Sequence, residues 1–176
     1  AKKHKTPATA VLVIGLGRFG TAVARTLQAQ GHEVLAVDYD EAIVGSLSDE
    51  FENIASADTT DPDVLRQLGA AEFERAVVGI GSNIEASILT VMALADLGVK
   101  TIWAKATHRT HGRILERTGA HHVVYPEERM GMRVARLVTG KMIDFIEFEE
   151  DFSIIKTRAP SCLVGKHVAE AACMEQ

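Results

Sequence analysis

With 176 residues, 47% of them hydrophobic and 24% charged, the chain can build one domain of ordinary size and a smaller piece besides. Its net charge of −5 lacks the electropositive footprint of a nucleic-acid binder, so no nucleic-acid partner is expected. No apolar run is long enough to cross a bilayer and no signal-peptide pattern opens the sequence, which predicts a cytoplasmic protein without direct membrane insertion.

Residues 1–9 carry Lys2, Lys3, His4, Lys5 and Pro7 without an apolar period, the composition of a flexible arm. Ala10-Val11-Leu12-Val13-Ile14 follows as a short, β-branched run with no polar alternation, the pattern of a strand buried on both faces. Next comes Gly15-Leu16-Gly17-Arg18-Phe19-Gly20. Gly15 and Gly17 allow a tight turn and close approach of backbone to a ligand, and Gly20 lets the next helix lie against the strand. Thr21 to Gln30 reads as that helix, apolar at Ala22, Val23, Ala24 and Leu27, with Gly31 as its stop. Val34-Leu35-Ala36-Val37 is a second buried strand that delivers Asp38 at its end.

Strand, glycine turn, helix, strand and carboxylate in this order predict a mononucleotide or dinucleotide site. The first helical N–H groups, at Arg18, Phe19 and Gly20, have no intrahelical acceptor, and with the helix dipole they favour phosphate. Asp38 can accept from both hydroxyls of a ribose and would repel a 2′-phosphate, while its neighbour Tyr39 offers no cation. The expected ligand is therefore ATP, ADP or NAD(H) rather than NADP.

Asp40 is placed to cap a helix from Glu41 to about Phe51. Asn53 to Ala57 reads as a third strand, ending at Asp58-Thr59-Thr60. Asp61-Pro62 opens a third helix with Val64, Leu65 and Leu68 on its apolar face and Gly69 at its end. Ala76 to Ile80 is the fourth strand, followed by Gly81-Ser82-Asn83 and a long apolar helix to Leu97. Thr101 to Ala106 is the fifth strand, Thr110 to Thr118 a helix stopped by Gly119, and His122 to Tyr125 the sixth strand. Pro126-Glu127-Glu128 opens a last helix, apolar around much of its circumference at Met130, Met132, Val134, Ala135, Leu137 and Val138.

Strands alternating with helices predict an α/β fold, a Rossmann-like doubly wound six-stranded parallel sheet in the order 3-2-1-4-5-6. Ligands in such sheets sit over the C-terminal strand ends, which gathers Gly15 to Gly20, Asp38, Asp58, Thr59, Gly81, Ser82, Asn83 and Lys105 around one crevice. Lys105 ends an otherwise apolar strand and so needs an anion or an exit to water. The apolar last helix needs a cover on each side, which predicts a homodimer through Glu128 to Val138. Residues 10–140 thus form the nucleotide-binding domain. Residues 141–176 hold an alternating run at Met142 to Phe148, a strand at Ser153 to Arg158 and a turn into a helix at Cys162 to Ala171, too little for a core of their own. Cys162 and Cys173 lack metal-ligand spacing and are expected as reduced, incidental thiols. His108, His111, His121 and His122 match no firm ligand template and are expected as exposed loop residues.

The glycine motif, Val37-Asp38, Ala57-Asp58-Thr59-Thr60-Asp61, Ile80-Gly81 with Asn83, Ile102-Trp103-Ala104-Lys105-Ala106, Gly119-Ala120 and Tyr125-Pro126-Glu127 together resemble the RCK (KTN, TrkA-N) domain family. Its members include the cytosolic regulatory subunits of Ktr/Trk-type bacterial potassium uptake systems. The resemblance spans about Thr9 to Leu137, with a weaker match at Ser153 to Ala171 to the start of the family's C-terminal lobe. It implies a nucleotide switch rather than an enzyme. ATP, ADP or NAD(H) would occupy the crevice, with Gly17 to Gly20 on the phosphates, Asp38 on the ribose and Asp58-Thr59 on the adenine edge. Arg18 and Lys105 would meet the terminal phosphates, and Glu127 a divalent cation. It further implies pairing through the last helix, assembly into a ring (an octamer), and docking on the inner face of a membrane potassium-translocating subunit. The C-terminal lobe is expected to be incomplete, since the family's is longer. The rival expectation is an NAD-dependent oxidoreductase or NADH redox sensor, which needs an acid or base beside the nicotinamide.

Overall fold

The structure, a computed structural model, describes residues 10–138, 144–149 and 152–156. The chain divides into two compact units between Pro126 and Glu127. The expected arm at 1–9, both cysteines and the turn and helix at 162–171 lie outside the described residues.

In the first unit, β1 (Val11–Ile14), β2 (Val34–Asp38), β3 (Asn53–Ser56), β4 (Arg75–Val78), β5 (Thr101–Lys105) and β6 (His122–Val124) form one sheet in the order β3-β2-β1-β4-β5-β6. All its pairings are parallel. The expected doubly wound order is therefore the observed one. Its uninterrupted apolar strands follow from burial on two faces. Val11 and Val13 of β1 pack with Ala24, Val34, Ala36, Leu47 and Phe51. Leu12 and Ile14 pack with Leu65, Val91, Leu94, Ile102 and Leu115 on the other side.

The connecting helices are α1 (Arg18–Ala29), α2 (Glu41–Leu47), α3 (Pro62–Gln67), α4 (Ile84–Asp96) and α5 (Arg109–Arg117). Asp40 and Asp61 cap α2 and α3 as their positions predict, each carboxylate accepting the N–H two residues on. Several boundaries differ from expectation. α2 stops at Leu47, and Phe51 turns back alone into the core. A 3-10 turn at Ala70–Glu72 follows the left-handed Gly69. In α1, Ala22 is exposed while Thr21 is buried, its hydroxyl donating to the Leu16 carbonyl at 2.7 Å.

β4 also ends early, at Val78. Beyond it Gly79 still donates its N–H to the Ile14 carbonyl at 2.7 Å, with backbone of the glycine turn packed beside it. On β5, Ile102 and Ala104 are buried, but Trp103 on the opposite face is 40% exposed and stacks on His122 with ring centroids 4.0 Å apart.

The second unit opens with α6 (Pro126–Val138), none of whose residues is buried. Met130, Met132, Val134 and Val138 are exposed, and Arg129, Arg133 and Arg136 share one side at i, i+4, i+7 spacing. β7 (Asp144–Glu149) and β8 (Phe152–Lys156) form an antiparallel pair with an irregularity between Glu147 and Glu149.

Candidate functional site

The site is built on three glycines in mutual contact. Gly15 turns the chain off β1 at φ +87°, a conformation side chains resist, with its N–H donating to the Val37 carbonyl at 2.8 Å. A Cβ on Gly20 would stand 1.8 Å from the Gly15 carbonyl oxygen, and one on Gly79 would stand 2.9 Å from that same oxygen. The start of α1, the end of β1 and the end of β4 therefore touch backbone to backbone. Gly17 differs: nothing lies within 4 Å of the place its Cβ would take. It is the N-cap of α1, and the N–H groups of Arg18, Phe19 and Gly20 precede the first helical bond, from Thr21 N–H to the Gly17 carbonyl at 3.0 Å.

A crevice of about 680 Å³ opens beside this turn at the C-terminal ends of the strands. Gly15, Gly17, Asp38, Tyr39, Asp58, Thr59, Gly81, Ser82 and Asn83 all line it. Asp38 stands where β2 ends, and its carboxylate is braced by backbone: Oδ2 accepts the Leu16 N–H at 2.5 Å and Oδ1 the Asp40 N–H at 2.9 Å. Each oxygen keeps a second lone pair, so the group can still accept from a diol. Tyr39 is 76% exposed at the rim. Asp58 folds its carboxylate over the next turn, Oδ1 accepting the Thr60 N–H and hydroxyl at 3.0 and 2.7 Å. Thr59 is buried, its hydroxyl 2.9 Å from that of the fully buried Thr90 on α4. Asn83 caps α4, its Oδ1 accepting the Ala86 N–H at 3.0 Å.

The remaining expected residues stand elsewhere. Gly20 lies beneath the turn, and Arg18 faces a neighbouring cleft between α1 and α2 together with Arg25. Lys105 lays its side chain across Gly81, and its ammonium lies 6.0 Å from the centre of the Phe19 ring. Glu127 belongs to the second unit.

Gly79 and Thr90 were not anticipated. A second G-x-G, Gly79-Ile80-Gly81 at the end of β4, was the available signal for the first. Thr90 carried none, being one of several polar residues, with Glu85 and Ser87, on a largely apolar helix.

The expectation that the four histidines are exposed loop residues fails at His111. This residue lies in α5 and is 0% exposed. Its Nδ1 accepts the Thr107 N–H at 3.3 Å, which leaves the proton on Nε2, a buried atom without a hydrogen-bond partner. Burial, assisted by the neighbouring His108, pushes the His111 imidazole below its ordinary value of 6.5. The unfolded chain therefore takes up a proton that the folded one refuses. Stability is complete above pH 6.5 and is expected to fall as the pH drops below it. Urea midpoints measured between pH 7.5 and 5 should decline, and less steeply in His111→Asn. His121 is tied to backbone, its Nδ1 accepting the Ile102 N–H at 3.1 Å. Among the described residues no group of three or more His, Cys, Asp or Glu could hold a metal, and no helix is long and apolar enough to cross a membrane.

A parallel sheet in this order, with a glycine turn and a strand-end carboxylate around one crevice, defines a nucleotide-binding-type Rossmann domain. The chain belongs to the TrkA-N domain family, whose profile matches residues 11–126. It is 41% identical over 154 residues to the Ktr system potassium uptake protein C of Bacillus subtilis, covering 87% of this chain and 70% of that one. To the Ktr system potassium uptake protein A of the same organism it is 36% identical over 159 residues, 90% of this chain and 72% of that one. Among solved structures, the GsuK protein bound to ADP superposes with a TM-score of 0.64 at 18% identity, over 78% of this chain and 37% of that one. The GsuK channel bound to NAD gives 0.62 at 18% identity, over 80% of this chain and 25% of that one. At these identities the two structures establish the shared fold.

Proposed function

We propose that the protein is a nucleotide-binding regulatory subunit of a bacterial potassium uptake system, acting by binding rather than catalysis. The observation that carries this reading is the crevice itself. Its volume of about 680 Å³ suits a nucleotide. Its wall offers phosphate a helix N-terminus with open space over Gly17, and offers ribose a braced carboxylate at Asp38. The Ktr relatives supply the potassium context, and GsuK, solved with ADP and with NAD, supplies the ligand class.

In this reading the phosphates of ATP, ADP or NAD(H) lie on Gly15 and Gly17 to Gly20. Asp38 holds the ribose, Tyr39 and Asp58-Thr59 flank the base, and Gly81-Ser82-Asn83 close the far wall. Lys105 answers the terminal phosphates, and Arg18, which lines the neighbouring cleft, would join it by turning toward them. Glu127, in the second unit, is the carboxylate expected to bind a divalent cation. The exposed apolar side chains of α6 support pairing of two copies, and such pairs would build the ring that docks on the cytoplasmic face of the transporter. ATP and ADP would then bias the paired domains differently. A ligand shifts such an equilibrium only by its difference in affinity for the two states, typically about 1–3 kcal/mol per site.

Calorimetric titration with ATP, ADP and NADH, with and without Mg²⁺, tests the reading. Micromolar binding of at least one of them, with Mg²⁺ sensitivity confined to ATP, is the expected result. Absence of binding by all three would refute it. Light scattering at micromolar concentration tests the pairing, and a purely monomeric mass would exclude it.

A further inference from the structure

We propose that Gly81 is a positioning residue. Having no side chain, it lets Lys105 reach the phosphate end of the crevice, and it thereby sets the preference for nucleotides carrying more phosphate. The inference rests on the nucleotide reading above and adds the basis of selectivity within it.

Lys105 ends β5, whereas the glycine turn follows β1, and β4 lies between them in the sheet. An ammonium starting from β5 must cross the place where the chain leaves β4, and that place is Gly79 to Gly81. The crossing is close. A Cβ on Gly81 would stand 3.1 Å from Lys105 Nζ, 3.3 Å from Cε and 3.7 Å from Cδ. The last three atoms of the lysine therefore pass directly over this glycine. Beyond it the ammonium comes to 6.0 Å from the centre of the ring of Phe19, a residue of the first turn of α1.

Position 81 is unlike the neighbouring glycines. Its backbone is outside the left-handed region that Gly15 occupies, so a side chain brings no backbone strain. What the new Cβ would meet is the flexible end of a lysine, whereas at Gly20 and Gly79 it would meet backbone. Alanine at 81 should therefore move the ammonium and leave the fold in place. Because an ammonium acts as a point charge, its effect falls with distance and grows with the charge of the ligand. ATP should feel the change, and AMP far less.

The test is titration of ATP and AMP into the wild-type chain, Gly81→Ala, Gly81→Ser, Lys105→Met and the double variant Gly81→Ala/Lys105→Met. Loss of a charge-assisted contact in Lys105→Met should weaken ATP about tenfold or more. Both position-81 variants should weaken ATP by about twofold and AMP by less, a smaller loss than in Lys105→Met, as expected for a displaced rather than deleted charge. The double variant should bind ATP no worse than Lys105→Met alone. Equal weakening of ATP and AMP, an unchanged ATP to AMP ratio, or additive losses in the double variant would each overturn the inference. If the wild-type chain binds neither ATP nor AMP, this inference falls, and the functional reading falls with it only if ADP and NADH also fail to bind.

Discussion

One methyl group at position 20 is expected to lower stability by roughly 3 kcal/mol or more, at or above the upper end for overpacking a well-filled site. The new Cβ of Gly20→Ala would stand 1.8 Å from the Gly15 carbonyl oxygen and 2.9 Å from its carbon. Neither atom belongs to a side chain that can rotate away. Gly15 cannot retreat either, since its own Cα side already faces the backbone of Gly79 and Ile80. Relief requires lifting α1 off the end of β1, which opens the core around Val13 and Ala24. Urea denaturation should show a much lower midpoint for Gly20→Ala. Gly17→Ala is the control, because its Cβ would meet nothing within 4 Å and its φ of −64° suits any residue. That variant should keep the wild-type midpoint and lose affinity for phosphate-bearing ligands. Equal midpoints for both variants would show that the close contact is not what holds the turn.

The second large effect is expected at Asp38, where Asp38→Ala should weaken ATP and NADH by at least about a hundredfold. Two hydrogen bonds to a charged acceptor are lost together, each worth about 1.5–3 kcal/mol. The loss is compounded because the same carboxylate holds the Leu16 and Asp40 N–H groups at 2.5 and 2.9 Å. Removing it leaves both donors to find other acceptors, so the glycine turn loosens as the sugar contact disappears. Asp38→Asn should fall between, since an amide keeps one acceptor oxygen and turns a donor toward one of those N–H groups. Unchanged affinity in Asp38→Ala would exclude ribose recognition at this carboxylate.

Much of the architecture could be read from local chemistry. The strand, turn and helix from Val11 to Ala29 were legible because each residue's constraint acts on near neighbours: β-branched burial, glycine turning, helix periodicity. Asp40 and Asp61 announced their helices because a cap bonds two residues onward. What escaped depended on contacts between distant segments. The backbone just after β4 packs against Gly15 and Gly20, some sixty residues earlier, and a run that reads as strand to Ile80 stops at Val78. His111 is polar by composition, yet α5 turns it into the core, a placement only the packed helix reveals. Within the crevice, the strand-end residues were foreseeable from topology. The bracing of Asp38 by Leu16 and Asp40 was not, because a main-chain donor leaves no mark on residue type.

The paired hydroxyls of Thr59 and Thr90 have a further consequence. Either oxygen can be the donor across their 2.9 Å separation, and exchanging the roles needs only two hydrogens to swing. When Thr59 donates to Thr90 its own lone pairs are left to accept, and when it accepts it has a hydrogen to place elsewhere. The contact between the turn after β3 and α4 is thus reversible in its hydrogens without any heavy atom moving. The segment that carries Asp58 therefore stays tied to α4 whichever hydroxyl donates.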